Sequence, residues 1–97
     1  MKIEGPQAIE AHPGSTVRLA AQVSDPDHNV VRVQWWQSND AGTYPGDIVL
    51  SRPASLTTTF RVPEDAQPGQ TIHVLIEATD DGTPPLTRYQ RVIVTIQ

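Results

Sequence analysis

Ninety-seven residues with a net charge of −4 and no cysteine set firm limits on this chain. A domain of this length buries roughly 60–65% of the surface of its unfolded form, enough for one core between two layers and too little for a deep cleft. Seven cationic residues spread along the chain form no patch for phosphate, which argues against a nucleic-acid partner. The lack of cysteine excludes a disulfide framework, a thiol nucleophile and a thiolate metal site. No apolar run approaches the ~20 residues of a membrane helix, so membrane insertion by a helix is not expected.

The predicted elements are all strands. A short first strand is expected near residues 7–10. Residues 16–24 alternate, with Val17, Leu19, Ala21 and Val23 on one side and Arg18, Ala20, Gln22 and Ser24 on the other. Val31, Val33 and Trp35 alternate with Arg32, Gln34 and Trp36. A short strand is expected at 47–50, and Leu56, Thr58, Phe60 and Val62 form a further row. Ile72, Val74, Ile76 and Ala78 then oppose His73, Leu75, Glu77 and Thr79, and the last strand, 88–96, turns Val92, Val94 and Ile96 inward. Nearly all the prolines and glycines fall in the breaks between these runs. Seven or so short antiparallel strands separated by turns point to an all-β, immunoglobulin-like sandwich, a single domain over residues 1–97. The sequence reads as a segment of a longer protein.

Two constellations stand out. In the sandwich topology the turn after the second strand and the turn before the last share one end, which brings Asp25 and Asp27 near Asp80 and Asp81. Clustered carboxylates suit a calcium ion, which takes six to eight oxygens. The competing expectation is turn chemistry, since Asp-Pro and Asp-Gly start turns by bonding their own backbone. The second constellation is the Trp35-Trp36 pair. Neighbours in a strand point to opposite faces, so Trp35 belongs to the core and Trp36 to the outside. Leu75, Tyr89 and Ile93 share the outward phase of the adjoining strands, and Tyr44, in the following loop, is within reach of them. Such a patch has three readings: cover by the 39–46 loop, docking on a neighbouring domain, or a carbohydrate platform.

Catalysis finds no support. His12, His28 and His73 are scattered, no serine sits in a nucleophile elbow, and no Gly-rich loop precedes a helix. No enzyme activity and no cofactor other than calcium at the Asp cluster are expected.

Several motifs carry a family resemblance: Val23-Ser24-Asp25-Pro26-Asp27, Trp35-Trp36-Gln37, Ala41-Gly42-Thr43-Tyr44-Pro45-Gly46, Pro68-Gly69-Gln70-Thr71-Ile72-His73, and Asp80-Asp81-Gly82-Thr83-Pro84-Pro85-Leu86-Thr87-Arg88-Tyr89. From about residue 12 onward the chain resembles the C-terminal domain of bacterial cellulose-binding proteins that carry a nucleoside-hydrolase-like N-terminal domain. The Val-Ser-Asp-Pro-Asp element also occurs in polycystic-kidney-disease and cadherin-like sandwiches, which usually continue Gly-Asp where this chain has His28-Asn29. The resemblance implies a secreted or periplasmic protein, an upstream nucleoside-hydrolase-like domain as partner, and an accessory, noncatalytic role near plant polysaccharide such as cellulose.

Overall fold

A computed structural model describes residues 2–24 and 31–97. Eight strands and no helix occur among them: β1 Lys2–Glu4, β2 Ala8–Ala11, β3 Thr16–Ala20, β4 Gln22–Ser24, β5 Val31–Gln37, β6 Thr57–Arg61, β7 Thr71–Asp80 and β8 Thr87–Ile96. One layer is a four-stranded sheet in the order β2-β8-β7-β5, with β2 parallel to β8 and the other pairs antiparallel. The opposite layer pairs β3 with β6 and β1 with β4. The expected all-β sandwich is therefore present, 45 Å long and 22 by 18 Å across.

The period-two rhythm explains the core. Val17 and Leu19 from β3, Phe60 from β6, Trp35 from β5, Ile72, Val74 and Ile76 from β7, and Val92, Val94 and Ile96 from β8 are all buried in one cluster. Strand β7 alternates buried and half-buried along its ten residues, as a central strand with one covered face should. Each apolar side chain of this size contributes about 1.5–3 kcal/mol on burial, so the facing rows supply the main drive for closing the layers.

Three departures from the expected strands have local causes. The run 16–24 divides at Ala21: its N–H still donates to the Leu56 carbonyl in register with β3 and β6, and the next three residues pair with β1 instead. The chain start also forms β1, too short to show a rhythm, before crossing to the other layer as β2. Gly5 makes that crossing, and a Cβ there would come within 2.7 Å of the Ala20 carbonyl oxygen. Residues 47–50 form no strand. They still alternate, with Ile48 and Leu50 packed on the core and Val49 83% exposed. Side chains replace the ladder: the Ile48 N–H donates to Gln37 Oε1, and Gln37 Nε2 donates to the Gly46 carbonyl. Alternation reports which side is covered and does not require a neighbouring strand.

Candidate functional site

Trp35 and Trp36 take opposite faces of β5. Trp35 is 2% exposed, and its indole Nε1 donates to the Ser55 carbonyl at 2.6 Å, so the buried polar group is satisfied. Its backbone N–H donates to the Pro53 carbonyl and ties the loop after β5 to the strand edge. Trp36 is half-buried on the outer face, directly across from Leu75 on β7.

Tyr89 on β8 completes the outer group. It is 60% exposed, and its ring meets that of Trp36 at a centroid distance of 6.0 Å and an interplanar angle of 87°. Strands β5 and β8 lie on either side of β7, about 9–10 Å apart. Both rings therefore lean inward over β7, where Leu75 is half-buried. The edge-to-face arrangement is a favoured one for aromatic pairs, worth about 0.5–1.5 kcal/mol beyond area. Ile93 lies lower on the same face, opposite His73 and half-buried.

Polar side chains surround the aromatic pair. The Tyr89 hydroxyl donates to Glu77 Oε1 at 3.3 Å, Glu77 being its cross-strand partner. Arg91 Nη1 donates to His73 Nδ1 at 2.9 Å, which makes the imidazole a neutral acceptor there. Partial burial, followed by the adjacent Arg91 charge, holds the His73 pKa below its ordinary value. Gln34 is exposed next to Glu77. Sequence reading named His73 and Glu77 as outward residues of their strand without joining them to the patch. The same two-residue phase that found Leu75 could have done so.

Tyr44 is not part of this face. It is 6% exposed and belongs to the core cluster, with its hydroxyl donating to Asp65 Oδ1 at 2.8 Å. Its ring packs over Gly46, where a Cβ would lie 2.9 Å or less from the ring atoms and hydroxyl. The loop turns Tyr44 inward because its N–H, like that of Thr43, is anchored on the Thr71 carbonyl at the foot of β7. The Asp65 hydrogen bond, with burial and the nearby carboxylates adding to it, raises the Tyr44 pKa above the usual tyrosine value.

At the other end of β7, Asp80 is 5% exposed, and its Oδ1 accepts from the backbone N–H groups of Gly82 at 3.1 Å and Leu86 at 2.9 Å. The carboxylate thus organises the loop before β8, which contains a cis Thr83–Pro84 peptide. That is the turn chemistry weighed against calcium. Asp81 is exposed in the same loop, and no group of three or more metal-ligating side chains occurs among the described residues. Asp25 and Asp27 lie outside the described residues.

A hollow of about 690 Å³ runs along β5, and its described lining includes Val23, Val31, Val33, Ala54, Leu56 and Glu77.

A family model described as "Cellulose-binding protein Sde0182, C-terminal domain" matches residues 16–96. This chain belongs to that family. A similar solved structure is a nucleoside hydrolase-related hypothetical protein from Saccharophagus degradans that is associated with carbohydrate metabolism. It shares 33% identity and a TM-score of 0.89 over 95% of this chain, and the chain spans 22% of that protein's length. Among curated proteins, none matches. Membership of the family agrees with the expected identity of the segment as a C-terminal domain.

Proposed function

We propose that this domain is a noncatalytic accessory module that extends a nucleoside-hydrolase-related region and contacts polysaccharide through the outer face of its four-stranded sheet. The observation that carries the reading is the Trp36–Tyr89 pair, two aromatic rings gathered on an uncovered sheet face beside Glu77, Arg91 and Gln34. Sugar rings present apolar C–H faces bordered by hydroxyls, and aromatic side chains bordered by polar groups match both surfaces. The family's description as cellulose-binding and the carbohydrate association of the similar structure support the same ligand class. The test is depletion of the protein from solution by swollen, amorphous cellulose. Parent protein is retained, and Trp36→Ala is not; equal retention of both would rule out this face.

A second reading has the same face packed on the nucleoside-hydrolase-related region. It is favoured by the apolar outward residues Leu75 and Ile93 beside exposed Tyr89. Hydroxyl-radical labelling of Tyr89 in the longer protein separates the readings: docking protects the ring, whereas a free sugar-contact face leaves it labelled until polysaccharide is added.

A further inference from the structure

We propose that the perpendicular Trp36–Tyr89 pair forms a notch for a single glucan chain, so that the domain takes soluble or disordered β-glucan and not the flat face of crystalline cellulose. The proposal rests on the carbohydrate-contact reading above and narrows its ligand.

The argument starts from the angle between the rings. A crystal face is planar, and a protein gains stacking area on it only with aromatic rings lying in one plane. Here the two rings stand at 87°, with centroids 6.0 Å apart. When one lies flat against a sugar ring, the other stands upright beside it as a wall. A planar surface reaches only the ridge of such a pair, whereas a single chain can lie against floor and wall together. Concave contact of this kind is the general form of a small-ligand site.

The polar groups point to the same ligand. In crystalline cellulose the equatorial hydroxyls are already bonded to neighbouring chains. In an isolated chain they are open to new partners. Beside the rings stand the Glu77 carboxylate, engaged by the Tyr89 hydroxyl through Oε1, and the Arg91 guanidinium, which spends one of its five N–H groups on His73. Gln34 adds an exposed amide on the same side. These donors and acceptors serve the rim of a lone pyranose and find little on a crystal face. Tyr89 is the more exposed of the two rings and stands on the outer face of β8 opposite Glu77 of β7, so its removal disturbs the site and leaves the core intact.

The experiment compares three probes on the same protein. Intrinsic tryptophan fluorescence is titrated with cellohexaose and with hydroxyethylcellulose, and depletion is measured on microcrystalline cellulose. The expected result is saturable binding of both soluble glucans, at least about tenfold weaker retention on the crystalline solid, loss of glucan binding in Tyr89→Ala, and its persistence in Tyr89→Phe, which keeps the ring. Tight binding to microcrystalline cellulose that is lost in Tyr89→Ala would overturn the notch and leave carbohydrate contact at this face standing. Unchanged glucan binding in Tyr89→Ala would overturn the notch by placing the sugar elsewhere. No binding of any of the three would overturn both.

Discussion

Adjacent tryptophans on one strand meet opposite fates in this domain. Trp35 lies in the buried layer between two sheets, its indole N–H bonded to the Ser55 carbonyl and its backbone N–H to the Pro53 carbonyl. Trp36, one residue on, shares an open face with Tyr89, Leu75, Glu77 and Arg91. The side chains are chemically identical, so the difference comes wholly from the pleat, which alternates direction at every residue. The inner face uses aromatic area to hold the layers together. The outer face keeps aromatic area available to a partner.

Removing each indole in turn breaks that comparison most forcefully. Trp35→Ala should destabilise the domain by about 3–5 kcal/mol, the usual range for a buried aromatic truncation, or prevent folding. Trp36→Ala should cost roughly 1–2 kcal/mol, from its edge-to-face contact with Tyr89 and the half-buried area of the ring. Urea denaturation of the two variants checks the contrast, and equal losses would mean that both rings are structural.

Asp80 sharpens the comparison from the other side, because it ends the inward row of β7 with a charge in place of an apolar group. Its buried carboxylate satisfies the Gly82 and Leu86 N–H groups of the surface loop that follows. Asp80→Ala leaves those donors without it and should cost roughly 1–2 kcal/mol. Amide exchange should quicken at Gly82 and Leu86 and stay slow in the centre of β7; uniform protection throughout would show that the carboxylate does not hold the loop.

The smallest effects are those of pH. The fold raises the Tyr44 pKa, so the folded state keeps that proton more tightly than the unfolded chain. The resulting stabilisation is complete below about pH 10 and is lost as pH climbs through the raised value. Tyr44→Phe, which cannot ionise, should flatten this alkaline fall in melting temperature. His73 behaves in the opposite sense on the outer face. Partial burial and Arg91 lower its pKa, so the unfolded chain takes up the proton first. Its contribution is complete above about pH 6.5 and fades as pH falls through the lowered value. His73→Gln should remove a small acid-side slope, and an unchanged slope would assign that loss to the carboxylates.

Much of this arrangement is legible in the residues because it depends on local rhythm. Period two separates Trp35 from Trp36 and places Leu75, Tyr89 and Ile93 on the outer phase, where the folded chain has them. What period two cannot supply is a partner. Residues 47–50 carry the alternation of a strand, yet Gln37 takes the place of the missing ladder. Tyr44 is misplaced for a similar reason: it sits in a loop with no rhythm, and its direction is set by the long-range bonds to Thr71 and Asp65. The angle between the Trp36 and Tyr89 rings is likewise a property of side chains meeting across a third strand. Their positions follow from the sequence, and their mutual geometry follows only from the folded sheet.

The most direct test is a 1H–15N spectrum of the two indole N–H groups, followed as cellohexaose is added. The Trp36 signal should move in a saturable manner while the Trp35 signal, fixed on the Ser55 carbonyl inside the sandwich, stays in place. A stationary Trp36 signal, or a shift confined to Trp35, would contradict the division of labour between the two faces.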